Sequence, residues 1–183
     1  MARLPYLDKA DLAPSDQDLL ERNINLFRCL VHSPGGARAH HALGHYIRHR
    51  SRLDPRLREM AILQVGWLAR SPYEWSHHVK IGYDFGVTDA DIRAIMDETA
   101  GRPTTLEPAA KLVLRAAREI AAGPGASAET FDALRAHLDD ERLVDLVITV
   151  SFYCAVVRLL ATLEIDVEPD YMPYLEKYPL PQD

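Results

Sequence analysis

Sulfur is scarce in this 183-residue chain, whose two cysteines, Cys29 and Cys154, lie far apart in sequence. That spacing excludes a CxxC redox pair and a zinc knuckle built from neighbouring thiols. A basic excess is also missing. Against 27 Asp and Glu stand 21 Lys and Arg, a net charge of −6, so the field that draws nucleic acid or an anionic membrane is absent. No segment alternates as a strand does. No uninterrupted apolar run spans a bilayer, because Leu143 to Leu163 is broken by Asp145 and Arg158 and dotted with Thr149, Ser151 and Thr162; a buried core helix, at an interface between copies, is expected there instead. The first twelve residues carry Arg3, Asp8, Lys9 and Asp11, unlike the apolar stretch of a signal peptide, and a cytoplasmic location is expected.

What remains is the pattern of a single helical domain over 1–183. Breakers at 33–36, Gly86, 101–103 and 123–125 separate segments whose apolar residues recur at three and four. Short polar residues mark helix starts: Ser15, Asp54 before Pro55, Ser71 before Pro72, Thr88 three before Asp91, and Ser127. About eight helices follow, near 15–32, 37–51, 55–70, 72–85, 88–99, 107–122, 127–138 and 140–164. From 168 to 183, Pro169, Pro173, Pro179 and Pro181 alternate with Tyr171, Tyr174 and Tyr178, which predicts an extended tail lying over its own domain or a neighbour.

The informative stretch runs from Leu53 to Ile95. A helix, a Ser71-Pro72 joint and a second helix make neighbours of Glu59 on the first and of Glu74 and His78 on the second. Glu74 and His78, four apart, share a helix face. If the helices fold back as an antiparallel pair, Glu59 reaches His78 and orients it. Such a set suits proton transfer, which needs an imidazole titrating near neutrality, a carboxylate in an apolar pocket and a partner that fixes the ring. The same residues also read as architecture. Ser71 and Glu74 match a capping box, and Glu59 and His78 match ordinary polar positions.

Leu57-Arg58-Glu59 with Ile62-Leu63, Tyr73-Glu74-Trp75 with His78, and Gly86-Val87-Thr88 before Asp91-Ile92 resemble the carboxymuconolactone decarboxylase family, which shares its core with alkylhydroperoxidase D-like proteins. Asn25-Leu26-Phe27, His32-Ser33-Pro34, Tyr153 and Arg158 look like its longer one-chain members. The resemblance implies an all-α bundle that forms homo-oligomers, with its active site at the start of the helix bearing Tyr73-Glu74-Trp75. In the peroxidase branch that helix opens with CxxC; laid on this chain, the thiols fall on Ser71 and Glu74, the histidine on His78 and an earlier glutamate on Glu59. Without thiols the disulfide cycle has no chemistry. The decarboxylase branch implies catalysis with no metal or organic cofactor. Glu74 and His78 then take the proton steps, Glu59 orients His78, and Ser71 and Tyr73 donate to a substrate oxygen.

His41, His45 and His49 form a stripe on one helix beside His40. A single stripe rarely closes a tetrahedral metal site, so no metal is expected, and His41 and His45 are expected to contact substrate. Arg28, Arg38, Arg48, Arg50, Arg52, Arg56 and Arg58 concentrate positive charge nearby, which points to a small anionic substrate. Trp67 and Trp75 read as core or interface aromatics, and both cysteines as inert buried thiols. Three functions fit: a cofactor-free lyase or proton-transfer enzyme on a small carbonyl or lactone, a thiol peroxidase relying on Cys29 or Cys154, or a non-catalytic ligand-binding oligomer.

Overall fold

The computed structural model describes residues 2–181. It is all-α, with nine α-helices and three short 3-10 helices among the described residues. At the centre lies α3, Pro55–Leu68, buried from Leu57 through Gly66. A helix buried on all sides needs neighbours on all sides. These are α4 (Pro72–Asp84), α5 (Asp89–Thr99), α6 (Pro108–Ala122) and α8 (Asp140–Leu163). Outside them lie α1 (Asn25–Leu30), α2 (Pro34–His49) and α7 (Ala128–Arg135). By length and composition α8 could cross a membrane, with mean hydropathy 2.1 over its most apolar stretch. Here it is a core helix. Its buried Asp145 accepts from the Tyr46 hydroxyl (2.7 Å), the Ser51 hydroxyl (2.9 Å) and the Arg52 N–H (2.7 Å), tying α8 to the α2–α3 connection.

The joint between α3 and α4 positions the site. Arg70 takes the left-handed conformation, and the Ser71 N–H bonds back to the Gly66 carbonyl at 3.0 Å while Arg70 N–H bonds to Trp67. This closes α3 as a Schellman turn. Ser71 then begins α4 at once, its Oγ accepting the Glu74 N–H at a long 3.4 Å. The two helices cross closely at Gly66, where a Cβ would sit 3.3 Å from the Trp75 backbone nitrogen. Gly86, with φ +89°, turns the chain from α4 toward α5. Thr88 and Asp91 cap α5 reciprocally.

Two predicted elements differ. The helix expected over 15–32 is a 3-10 helix, Pro14–Leu20, followed by a break and α1. The break is stabilised from afar: the Asn25 N–H donates to Glu168 (2.6 Å) and the Leu26 N–H to the Tyr73 hydroxyl (3.1 Å). The extended tail is instead a 3-10 turn, Pro169–Tyr171, and α9, Met172–Lys177. Pro169 and Pro173 occupy first-turn positions, where a missing N–H costs nothing, and Pro179 and Pro181 follow the end of α9. It does lie over its own domain. Trp75 donates through Nε1 to the Tyr178 carbonyl (2.9 Å), and Lys177 pairs with Asp89 (2.9 Å). Residues 182 and 183 of the expected tail lie outside the described residues.

Candidate functional site

The two helices fold back as their short joint requires, bringing Glu59 from α3 beside His78 from α4. Glu59 Oε2 lies 2.7 Å from His78 Nδ1. Its other oxygen, Oε1, accepts from Arg58 Nε (3.1 Å) and Nη2 (3.0 Å). The buried Arg58 guanidinium also rests 4.5 Å from the centre of the Phe85 ring. On the far side of the imidazole, Nε2 stands 3.0 Å from Glu74 Oε1. That distance suits an ion pair, but the angle leaves Glu74 Oε1 without a hydrogen bond. Glu74 therefore caps α4 only through its backbone N–H; its carboxylate does not reach back to Ser71, as a capping box would require.

Glu74 and His78 line a cavity of about 320 Å³ between α1, α2, α4 and α8, whereas Glu59 sits behind them. Four buried side-chain atoms lack a hydrogen-bond partner among the described residues: His40 Nδ1 and Nε2, His41 Nε2 and Glu74 Oε1. All belong to residues lining this cavity. Each such atom costs about 1–3 kcal/mol, and their gathering around one cavity singles it out as the place in the fold where polar groups are left unpaired.

The electrostatics divide the histidines. Burial opposes the charge on His78, but Glu74 and Glu59 outweigh it and raise the pKa above its usual 6.5. Burial also acts against Glu59, yet His78 and Arg58 bring its pKa below the usual 4.5. His40 has no such partner, and burial, with His41 beside it, lowers its pKa to about 4. The charged His78 thus stabilises the fold fully below 6.5, a contribution lost as pH rises through its folded value. Charged Glu59 contributes above 4.5, a contribution lost as pH falls through its own folded value. His40 works the other way. Below 6.5 the unfolded chain takes a proton that the fold refuses down to about 4, so this term weakens the fold on acidification. Proton NMR titration is expected to show His78 changing charge above 6.5 and His40 near 4; a His78 midpoint below 6.5 would contradict the paired geometry.

The sequence-predicted contacts separate. Ser71 does not line the cavity, since its Oγ is spent on the cap of α4. Tyr73 does line it, but its hydroxyl donates to Glu168 (3.0 Å) and accepts from the Leu26 N–H, which corrects its expected role as a substrate donor. His41 and His45 both reach the cavity. The histidine stripe divides: His41 packs on Phe27 (ring centres 4.1 Å) while His45 packs on His49 (4.9 Å). Among the described residues no three His, Cys, Asp or Glu side chains form a group that could hold a metal ion. Neither cysteine lines the cavity.

Sequence reasoning missed His40, His77, Phe152 and the positions of Arg48 and Tyr153 on the cavity wall. His77 is sandwiched between Tyr73 (4.0 Å) and Tyr171 (3.5 Å) and pairs with Glu168 (2.8 Å), fastening the segment before α9 to the cavity rim. The adjacency of two histidines at 77 and 78 was the available signal.

The sequence pattern of the Carboxymuconolactone decarboxylase family matches residues 34–119, which contain α2 through most of α6. No curated protein matches the chain. Among solved structures, an alkylhydroperoxidase AhpD core described as an uncharacterized peroxidase-related protein from Ralstonia eutropha superposes with a TM-score of 0.80 at 20% identity, covering 95% of each chain. A variant of the debrominase Bmp8 in complex with 2,3,4-tribromopyrrole gives 0.78 at 17% identity, over 97% of this chain and 99% of the other. An uncharacterized peroxidase-related protein from Silicibacter gives 0.72 at 16% identity over 92% of each. These likenesses fix the fold as AhpD-like.

Proposed function

We propose that this chain, whose residues 34–119 match the pattern of the carboxymuconolactone decarboxylase family, is a cofactor-independent lyase or proton-transfer enzyme acting on a small anionic carbonyl or lactone compound. One observation carries the reading. The Glu74 carboxylate lines a ligand-sized cavity, and its buried Oε1, without a hydrogen bond, stands 3.0 Å from an imidazole that a second carboxylate holds from behind.

The roles follow from access. Glu74 and His78 line the cavity, so they exchange the proton with substrate carbon; Glu59 is a positioning residue that acts through His78, and Arg58 steadies Glu59. Loss of carbon dioxide from a lactone acid, or removal of a proton beside a carbonyl, leaves an enolate that must be protonated. The charged His78 supplies that proton through Glu74, and the carboxylate is then free to take the next one. His40 and His41, kept neutral by burial, offer hydrogen bonds to the substrate without adding charge. In this reading the chain forms a homo-oligomer, which is supported by Val144 (56% exposed) and Val147 (40%) on the outer face of α8, and works in the cytoplasm.

The thiol-peroxidase alternative has less to stand on. Burial raises the pKa of both Cys29 and Cys154, and a thiol kept protonated is a poor nucleophile.

The test is a screen of small keto acids and lactone acids by NMR in deuterium oxide, reading deuterium incorporation or carbon dioxide release. Turnover is expected to survive the double replacement Cys29→Ser, Cys154→Ser within about twofold, since no sulfur takes part. Peroxide consumption that vanishes in the double variant, with no carbonyl turnover, would establish the peroxidase instead.

A further inference from the structure

The cavity has two properties that the proton-transfer reading leaves unused. The first is a continuous aromatic surface. His40 packs against Phe152 with ring centres 4.9 Å apart, Phe152 against Tyr153 at 5.4 Å, and Tyr153 edge-on against His78 at 5.0 Å. From α2 through α8 to the reactive imidazole, the wall is thus a succession of ring faces and edges. At about 320 Å³ the space is at the small end for ligand cavities, so a bound molecule touches this surface over much of its area. Flat conjugated rings gain from such contact in ways that puckered aliphatic rings do not, through offset and edge-to-face geometry.

The second property is an uncommitted cation. Arg38, Arg52, Arg56 and Arg58 of the arginine-rich stretch are each paired with a carboxylate. Arg48 lines the cavity and makes no ion pair among the described residues. Its charge bears on the Tyr153 hydroxyl, opposing the rise that burial and the two glutamates impose there. Arg48 and Tyr153 both line the cavity with Glu74 and His78, and the Tyr153 ring meets His78 edge-on at 5.0 Å, so guanidinium and phenol border the same space as the reactive pair. Negative groups are also near. Asp18 is held by Arg38 at 2.8 Å, Glu21 is exposed at the rim, and Glu74 faces His78; of the two cavity arginines without an ion pair among the described residues, Arg22 lies over the Phe27 ring (5.9 Å), which leaves Arg48 for an anion bound beside Tyr153.

We propose that the cavity selects a flat, conjugated five- or six-membered ring acid, its ring lying on the His40–Phe152–Tyr153 surface and its carboxylate held by Arg48 and the Tyr153 hydroxyl. An arginine fork suits a planar carboxylate, and the phenol adds a directed O–H donor. The proposal rests on the proton-transfer reading only for which end of the ligand reacts; the ligand class follows from the wall and the cation.

Binding is measured by titration calorimetry or ligand-observed NMR on the full chain carrying Glu74→Gln, in which turnover does not interfere. The probes are benzoate, cyclohexanecarboxylate and benzyl alcohol. Benzoate is expected to bind about tenfold or more tightly than either of the others, and adding Arg48→Gln should weaken benzoate about tenfold while leaving benzyl alcohol unchanged. Arg48→Lys should recover part of the loss. Cyclohexanecarboxylate binding as tightly as benzoate, benzoate failing to bind, or benzoate indifferent to Arg48→Gln would overturn the proposal. The probe ranking needs no Arg48 variant, so it decides the ring preference even where that variant folds poorly. Benzoate binding that depends on Arg48, together with no turnover in the carbonyl screen, sustains this ligand class and removes the enzyme; turnover of aliphatic acids without benzoate binding does the reverse.

Discussion

Replacing Glu74 with Gln is expected to lower kcat by about 10²- to 10⁴-fold, the usual contribution of a positioned acid–base group, with little change in KM or melting temperature. Gln has the same shape, so the packing against Gly66 and the backbone cap at Ser71 are retained. What it lacks is a carboxylate oxygen able to accept a proton beside His78 Nε2. The split between kcat and KM separates this from a structural defect, because a displaced helix would degrade both. The variant should also leave its mark on His78: with the first of the two supporting charges gone, its pKa falls. A Glu74→Gln protein retaining more than about a tenth of wild-type kcat would place the proton transfer elsewhere.

Glu59→Ala is expected to have the largest effect on stability. Glu59 is 1% exposed and is the carboxylate partner of the equally buried Arg58 as well as of His78. Its removal strands a guanidinium in the core with the Phe85 face as its remaining support. Breaking a buried pair from one side costs about 3–5 kcal/mol, and at about 2–4 °C per kcal/mol for a chain of this size the melting temperature should fall by about 10 °C. Glu59→Gln, which keeps an oxygen for Arg58, should lose less stability while still lowering the His78 pKa. Calorimetry and histidine NMR together distinguish the two contributions. A fall of under about 3 °C in Glu59→Ala would mean that Arg58 reaches water or another acceptor when Glu59 leaves.

Much of the helical frame was legible because it rests on local rules. Proline at first-turn positions, Asp54, Ser71, Thr88 and Ser127 as caps, and Gly86 at a left-handed turn each act within a few residues, and the helices over 55–68, 72–84 and 140–163 begin and end close to where those signals stand. The Glu59–Glu74–His78 set was legible for a related reason. A joint as short as Ser71-Pro72 leaves two amphipathic helices few ways to pack, so spacing alone predicts which side chains meet.

Other features had no local signature. Helix formation over 15–32 fails because the N–H groups of Asn25 and Leu26 find Glu168 and Tyr73, partners distant in the chain. The tail helix forms because Tyr171, Lys177 and Tyr178 dock on α4 and the start of α5. Most of all, composition and period could count histidines and arginines but could not say which were already occupied. Tyr73 looked available and is engaged; Arg48 looked like one charge in a row and lines the cavity without an ion pair among the described residues.

The order of the chain by itself determined the helices around the joint and the meeting of two acids with one imidazole, since those depend on backbone sterics and periodicity over short distances. Only the tertiary structure decided where the cavity opens, which polar atoms around it lack partners and which cations line it, because burial and pairing are properties of segments that meet from far apart in sequence.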